Sequence, residues 1–524
     1  MKKIVYQVYP LSFKDHTNNG KGDLKGVIEK LDYISDLGVD YLWLTPFFKT
    51  PFRDNGYDVA DYYNVDQSFG TNQDLLDLIK QAKEKNIKIM LDMVFNHTST
   101  EHKWFKGWLS GEPEYKDFYI SKYSKGTPPT NWQSKFGGSA WKEYKPSNWY
   151  LHLFDETQAD LNWENKQVRE KIFEVIKYYI SIGIKGFRFD VINLISKDKF
   201  VDDNQGDGRK YYTDGPRAHE FIQELSSNFP KDIDFLTVGE LSSTTLKDTI
   251  KYANKDRTEL DSVFTFHHLK VDYDGLNKFI DKKPDIKKLY DISKQWFVNV
   301  DNEGSKMATF LNNHDQPRSV SRFIDKKYRI PGAKMLFAFT SCMPGIPYIY
   351  QGEEIGMENV DFTNPDDFRD IETINYLKAN NYSYIPEGVK QKSRDNSRTP
   401  MQWDSSQNAG FSRVKPWINV NDNYKEINVE DSLKDKKSIL NFYKEHIKFL
   451  KENDVQLLGK IEFEEYFENV ICYLRIFKGK KQRCIFSFSN KNTKFKFEGR
   501  VIKSNYEEIK ENELLPYQFI ILED

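Results

Sequence analysis

Acidic side chains stand at the ends of several short apolar runs along this chain. Four such runs have polar ends: the first has Asp92, Asn96 and His97, the second Arg188 and Asp190, the third Glu240, and the fourth His314 and Asp315. Several carboxylates brought to one place repel each other, so such a cluster needs a chemical purpose. Cleavage of a glycosidic bond supplies one, because one carboxylate attacks the anomeric carbon while a second, kept protonated, gives a proton to the leaving oxygen. The residue types therefore indicate acid–base and nucleophilic chemistry on a sugar.

The elements that must position these side chains alternate between strand and helix. An early unit has a β-rich run at 3–9, a helix from Leu24 to Leu37 that Asp23 caps and Gly38 ends, and a strand at 39–46. A helix at 72–85 and another opened by Asn165 precede further strands. The remaining apolar runs lie at 87–95, 184–190, 232–240, 262–266, 306–315 and 345–354. Eight strands in this order predict an α/β fold, a (β/α)8 TIM barrel, whose chemistry lies at the C-terminal strand ends.

Breaks in this rhythm predict the domain organisation. We expect residues 1–98 and 164–454 to form the catalytic barrel, with a small inserted subdomain after the third strand at 99–163. The inserted stretch is aromatic and glycine-rich and has no long periodic segments. From 455 to 524 the pattern changes to alternating β-rich runs, which predicts a C-terminal antiparallel β-sandwich domain.

Composition narrows the class of protein. The chain has 524 residues with 77 Lys+Arg and 79 Asp+Glu, a formal charge of −2, which argues against nucleic acid or an anionic membrane as partner. It has no apolar run of about 18 residues, and Gln7 and Pro10 interrupt the start, which we interpret as a strand rather than a signal peptide. Its three cysteines fit a reducing compartment. We therefore expect a cytoplasmic enzyme that acts on a small molecule.

Four stretches resemble a known family. DMVFNHTS (92–99), GFRFDVIN (186–193), VGE (238–240) and NNHDQPR (312–318) resemble, in order, the conserved regions of the α-amylase superfamily of retaining glycosidases. DLNWEN (160–165) and GIPYIYQGEEIGM (345–357) are similar to two further regions of that family. The resemblance covers essentially the whole chain.

The resemblance implies roles for individual residues. It makes Asp190 the nucleophile, Glu240 the general acid/base and Asp315 the residue that holds sugar hydroxyls and distorts the ring. The sugar-binding positions that it implies are Asp54, Tyr57, His97, Arg188, His314 and Arg398. Among these, Arg188 would keep Asp190 ionised, and Arg398 would form a salt bridge with the innermost hydroxyl-binding aspartate.

Longer stretches bear on the substrate. Val191, after the implied nucleophile, resembles the oligo-1,6-glucosidase branch, although a β-branched residue is also common near a strand end. Residues 206–225, 238–245, 266–273 and 393–404 look most like the trehalose-6-phosphate hydrolases of that branch. A phosphate on the leaving sugar needs a cation, for which Lys270 is the first candidate and Arg209 and Lys278 are weaker ones. An oligo-1,6-glucosidase acting on isomalto-oligosaccharides stays open as the alternative.

Two other interpretations concern metals and loss of catalysis. The segment 15–23 resembles a calcium loop of some relatives, with possible ligands Asp15, Thr17, Asn19 and Asp23, but a turn in which Asp23 caps the first helix explains it equally well. We expect no cofactor and no metal to be required. A non-catalytic barrel that serves as a transporter accessory would lack the catalytic carboxylates, whereas Asp190, Glu240 and Asp315 are all present.

Overall fold

The computed structural model describes residues 3–232 and 234–523 of the chain. Its centre is a parallel eight-stranded sheet made of β1 Val5–Val8, β2 Tyr41–Leu44, β3 Lys88–Val94, β4 Gly186–Asp190, β5 Leu236–Glu240, β6 Ser262–Phe264, β7 Ala308–Thr309 and β8 Ile346–Tyr350. The strands follow the order β6-β5-β4-β3-β2-β1-β8-β7, and a parallel bridge between Val263 and Met307 brings β6 beside β7. The predicted barrel is confirmed. Residues 1, 2 and 524, at the predicted outer boundaries, and residue 233, in the predicted run at 232–240, lie outside the described residues.

Helices surround this sheet and fill the connections. They are α1 Leu24–Glu29, α2 Leu31–Asp36, α3 Asn72–Glu84, α4 Lys103–Ser110, α5 Lys166–Ser181, α6 Arg209–Tyr212, α7 Ala218–Ser226, α8 Leu246–Tyr252, α9 Ile286–Asn302, α10 Ser319–Phe323, α11 Arg329–Ser341, α12 Ile371–Ala379, α13 Glu387–Lys392, α14 Asp395–Arg398, α15 Val429–Lys434, α16 Ile439–Glu452 and α17 Asp454–Leu458. Asp23 and Asn165 cap α1 and α5 as predicted. The prediction of one continuous helix from Leu24 to Leu37 was wrong. The helix divides at Lys30 (φ −105°, ψ 9°), which leaves helical geometry and whose N–H donates to the Val27 carbonyl, three residues back.

The segment between β3 and α5 folds into its own small layer. Its three antiparallel strands are Ser121–Tyr123, Asn148–Leu151 and Trp141–Lys145. Its ends are tied together where His97–Ser99 pairs with Gln158–Asp160. Trp132, Trp141 and Leu153 of this layer pack with Val191 in one buried cluster. The layer is thereby fixed above the C-terminal end of β4.

The C-terminal part forms a five-stranded antiparallel sheet, as predicted. Its strands are β9 Lys460–Phe463, β10 Val470–Phe477, β11 Lys480–Ser487, β12 Arg500–Ser504 and β13 Phe519–Glu523, in the order β9-β10-β11-β13-β12. Phe486 and Phe519 of this sheet stack near Phe339 and Phe442 of α11 and α16, so the sheet packs on the outside of the barrel, away from the strand ends that carry the carboxylates. Within the described ranges, no helix has the length and apolar character needed to cross a membrane.

Candidate active site

One buried arginine links the ends of three neighbouring strands. Arg188 and Asp190 are two residues apart on β4, so both side chains point to the same side of the strand, into the barrel. Arg188 Nη1 donates to Asp92 Oδ1 on β3 and to Asp190 Oδ1, both at 2.7 Å, and Nη2 donates to Glu240 at the end of β5. The carboxyl groups of Asp190 and Glu240 thus both contact one guanidinium. In retaining glycosidases the two catalytic carboxyl groups lie about 5–5.5 Å apart.

Burial raises the pKa of both Glu240 and Asp92. Burial raises the pKa of Glu240 well above its ordinary value. The negative charges of Asp190 and Asp315 raise this pKa further, and Arg188 lowers it only in part. Burial likewise raises the pKa of Asp92 to about 7 against the effect of Arg188. Arg188 stays charged because its carboxylate partners outweigh burial and raise its pKa. The raised pKa favours the protonated form of Glu240, which is the form that a general acid needs.

Asp315, after β7, has the opposite electrostatics. Burial alone would raise its pKa, but His314, Arg394 and Arg398 hold the pKa well below its ordinary value. Its Oδ1 lies 3.0 Å from Arg398 Nη2 and 3.2 Å from Arg394 Nη1, and its Oδ2 lies 3.0 Å from His314 Nε2. Asp315 is thus an ionised acceptor fixed in orientation. Arg398 forms its salt bridge with this aspartate.

The implied sugar-binding residues line the space between these two centres. The Tyr57 ring stacks on His314 with centroids 5.2 Å apart, and its hydroxyl donates to Asp92 Oδ2 at 2.9 Å. Gln7 Nε2 donates to His314 Nδ1 at 2.7 Å, which leaves the Nε2–H facing the Tyr57 hydroxyl at 2.6 Å and Asp315 Oδ2 at 3.0 Å. Burial lowers the pKa of His314, so the neutral ring is favoured.

Asp54 and His97 meet on the other wall. Gln158 Nε2 donates to Asp54 Oδ2 at 3.1 Å and lies 3.3 Å from His97 Nε2. Asp54 Oδ1 is buried without a hydrogen bond, and burial raises the pKa of this carboxyl to about 7 although Arg394 and Arg398 oppose it. A buried acceptor without a partner is what a sugar hydroxyl would satisfy.

Val191 occupies an unusual backbone position next to Asp190. Its φ of 36° lies in the left-handed region, where a β-branched residue is rare. Its side chain packs into the aromatic cluster of the inserted layer rather than being free at the strand end. Strain of this kind gathers at functional sites, where the surroundings enforce it. Here it turns the chain sharply directly after Asp190.

Sequence reasoning missed Arg394 and Gln158. Arg394 Nη2 lies 2.6 Å from Asp370 Oδ1 and 3.7 Å from Asp54 Oδ1, besides its contact with Asp315. The available signal was the spacing of Arg394 and Arg398, four residues apart and so on one helical face. Gln158 gave no signal, because it comes from the irregular insertion.

The three phosphate candidates differ in how their charge is balanced. Arg209 binds Asp207 through Nε at 2.9 Å and Nη2 at 2.5 Å, and Lys278 forms an ion pair with Glu372. Lys270 is half-buried after the short helical turn His267–Leu269 and has no salt bridge within the described residues. Burial, Arg209 and Lys288 lower the pKa of Lys270. Lys270 is thus the candidate whose charge is not already neutralised.

The segment 15–23 is held by its own hydrogen bonds. Asp15 Oδ2 accepts from Gly20 N at 2.8 Å and Ser412 Oγ at 2.6 Å, and Asp23 accepts from Gly26 N at 2.7 Å and from Thr17 N at 3.0 Å. Both carboxylates therefore have donors already. Among the described residues, no cluster of three or more His, Cys, Asp or Glu has metal-binding geometry. That no metal is required stays a prediction.

Comparisons with known proteins show the family of this chain. The sequence model of the family described as "Alpha amylase, catalytic domain" matches residues 7–459, so the chain belongs to the alpha-amylase family of glycoside hydrolases. The trehalose-6-phosphate hydrolase of Bacillus subtilis (strain 168) is 48% identical over 90% of this chain and 87% of that protein. The oligo-1,6-glucosidase of Parageobacillus thermoglucosidasius is 42% identical over 98% of this chain and 97% of its own length. The crystal structure of Bacillus licheniformis trehalose-6-phosphate hydrolase superimposes with a TM-score of 0.95 at 46% identity, covering 100% of this chain and 99% of that one. The family resemblance is thereby confirmed.

Proposed function

We propose that this enzyme hydrolyses α,α-trehalose 6-phosphate to glucose and glucose 6-phosphate with retention of configuration. The observation that carries the chemistry is the Arg188 guanidinium shared by Asp190 and Glu240. The substrate is supported by the un-neutralised Lys270 and by the 48% identical relative named trehalose-6-phosphate hydrolase.

In the first step Asp190 attacks the anomeric carbon of the unphosphorylated glucosyl unit. A new bond forms between Asp190 oxygen and C1 as the C1–O bond breaks, and the Glu240 carboxyl gives its proton to the departing oxygen. The raised pKa of Glu240 keeps that proton available. Glucose 6-phosphate leaves, and a glucosyl ester of Asp190 remains.

In the second step water completes the cycle. The Glu240 carboxylate takes a proton from water, the water oxygen bonds to C1, and the bond to Asp190 breaks. Asp315, Asp54 and the two histidines hold the ring hydroxyls in both steps. Because each displacement inverts C1, glucose is released as the α-anomer.

The phosphate lies on the leaving sugar in this proposal, on the Lys270 side of the mouth. A half-buried ammonium without an acidic partner is costly, and a phosphate dianion would supply the missing charge. We also propose that the enzyme is located in the cytoplasm and that its substrates are small sugars only.

A second candidate function rests on a specific comparison. The 42% identical oligo-1,6-glucosidase aligns with 98% of this chain, and that name states a different glycoside. An oligo-1,6-glucosidase would need no cation for a phosphate on its leaving sugar. The lysine is therefore the feature that separates the two functions.

Product analysis distinguishes them. The purified enzyme is incubated in parallel with trehalose 6-phosphate, trehalose and isomaltose, and the sugars are separated by anion-exchange chromatography. We expect equimolar glucose and glucose 6-phosphate from the first substrate and little cleavage of the other two. Cleavage of isomaltose with trehalose 6-phosphate left intact would overturn the proposal. The Glu240→Gln variant controls for contaminating glycosidases.

A further inference from the structure

A tight turn of the inserted layer reaches over the active-site mouth. Ser134 N bonds Gly138 O at 3.0 Å and Gly137 N bonds Ser134 O at 3.0 Å, which closes residues 134–138 into a compact loop. Gly137 and Gly138 have φ of 92° and 79°, values that glycine adopts without strain. The main chain of this turn, which carries Lys135 and Phe136, is thus closed by its own hydrogen bonds.

The two side chains of the turn face opposite sides of the mouth. The Phe136 ring lies 5.1 Å from the guanidinium carbon of Arg394, on the side of Asp315. Lys135 Nζ lies 3.1 Å from Ser242 Oγ, two residues after Glu240, and 5.3 Å from the Tyr212 ring centroid. Lys135 therefore points to the leaving side, where the proton donor acts.

The charge of Lys135 has no acidic partner there. Within the ranges 3–232 and 234–523, Lys135 takes part in no salt bridge, and its hydrogen bond to Ser242 is to a neutral hydroxyl. Burial lowers the pKa of Lys135 to about 8, and Arg209 and Lys270 contribute because they add positive charge nearby, with Asp207 and Glu240 opposing them. Lys135 of the insertion and Lys270 of the barrel thus each lack a salt bridge within the described residues, and the charge of Lys270 acts on Lys135. Such a pair is stabilised by an anion.

We propose that Lys135 is a specificity-determining residue that donates to the phosphate of the leaving sugar from the side of the inserted layer, opposite Lys270 of the barrel. This inference rests on the proposed function. The phosphate bridges the two lysines, and so it couples the insertion to the barrel only when a phosphorylated substrate is bound. The bond of Lys135 to Ser242 holds the ammonium in place before the substrate arrives.

The test compares Lys135→Gln with wild type on two substrates. Glutamine keeps a donor for Ser242 and removes the charge. We expect KM for trehalose 6-phosphate to rise about 10- to 100-fold, the range for a lost charge-assisted hydrogen bond, with KM for p-nitrophenyl α-glucoside changed less than about twofold. Lys142→Ala is the matched control, because Lys142 lies in the same layer, is exposed and pairs with Glu156 at 2.7 Å. Lys135→Arg, which keeps the charge, should recover part of the affinity.

Inorganic phosphate gives an independent readout. Phosphate should inhibit p-nitrophenyl α-glucoside hydrolysis by wild type and Lys142→Ala, and markedly less in Lys135→Gln. Equal losses on both substrates, or unchanged phosphate inhibition, would overturn the assignment and leave Lys135 a structural residue. A Lys135→Gln protein that fails to fold would be judged on Lys135→Arg, for which loss of phosphate inhibition contradicts the proposal. If wild type cleaves no trehalose 6-phosphate while phosphate still inhibits through Lys135, the proposed function fails and the anion site stands.

Discussion

The two sides of the active-site mouth differ in how their charges are balanced. On the glucosyl side, Arg188 bonds three carboxylates, and Asp315 is paired with His314, Arg394 and Arg398. On the leaving side, Lys270 and Lys135 have no salt bridge in the described part of the chain. The carboxylates around Arg188 and Asp315 are already paired with cations, whereas the two lysines gain an ionic partner only from a ligand.

This difference separates reaction type from substrate choice. Preorganised ion pairs fix reacting groups and cost nothing to reorganise during the reaction. Cations without an acidic partner instead increase the affinity for a substrate that carries a negative charge. Changes on the glucosyl side should therefore reduce turnover on every substrate, and changes on the leaving side should act only on phosphorylated ones.

The largest effect should come from the paired carboxylates. Asp190→Asn and Glu240→Gln are each expected to lower kcat by about 10³-fold or more, because one removes the nucleophile and the other the proton donor. Folding should survive, since Arg188 keeps two carboxylate partners in either variant. Steady-state kinetics and thermal unfolding check both statements, and a near-normal rate in either variant would contradict its role.

The second largest loss of activity should come from removal of Arg394. Arg394→Ala takes one cation from Asp315 and leaves Asp370 buried without its partner, so we expect kcat to fall about 10²-fold and the free energy of unfolding to drop by about 3–5 kcal/mol. Denaturant unfolding measures the second quantity. Arg394→Lys should be milder in both. An Arg394→Ala enzyme as active and stable as wild type would show that Asp315 is held by Arg398 and His314 alone.

The pH profile should reflect Glu240. Its acid form is the active one, and burial raises its pKa. Activity is therefore retained above the ordinary pKa of glutamic acid and lost as pH rises through the raised value, by about tenfold per pH unit beyond it. The measurement is kcat/KM on trehalose 6-phosphate across pH. A basic limb that persists unchanged in the residual activity of Glu240→Gln would assign it to another group.

The leaving side should give the smallest but most selective effect. Lys270→Ala should raise KM for trehalose 6-phosphate about tenfold and leave p-nitrophenyl α-glucoside almost unaffected. Lys278→Ala is its control, because Glu372 already neutralises Lys278 and its loss should change either KM by less than about twofold. An equal effect of Lys270→Ala on both substrates would remove Lys270 from phosphate binding.

The sequence predicted the barrel because its strands are short apolar runs that alternate with helical stretches, and several of these runs end in carboxylates. It could not show that Lys278 meets Glu372, since these residues are 94 positions apart and no local pattern links them. Its four-residue spacing from Arg398 could have singled out Arg394, but not its contact with Asp315, which lies 79 positions away. Lys135 comes from an irregular insertion, where periodicity carries no information about which side chain reaches the mouth. The structure thus adds what the sequence could not show, namely which charged residues distant in the sequence pair with each other.

Time-resolved proton NMR of trehalose 6-phosphate hydrolysis tests the central claim most directly. We expect α-glucose to appear first and then to mutarotate, together with an equal amount of glucose 6-phosphate. First appearance of β-glucose would contradict covalent attack by Asp190, and no release of glucose 6-phosphate would contradict the assignment of the lysine side to a phosphorylated leaving sugar.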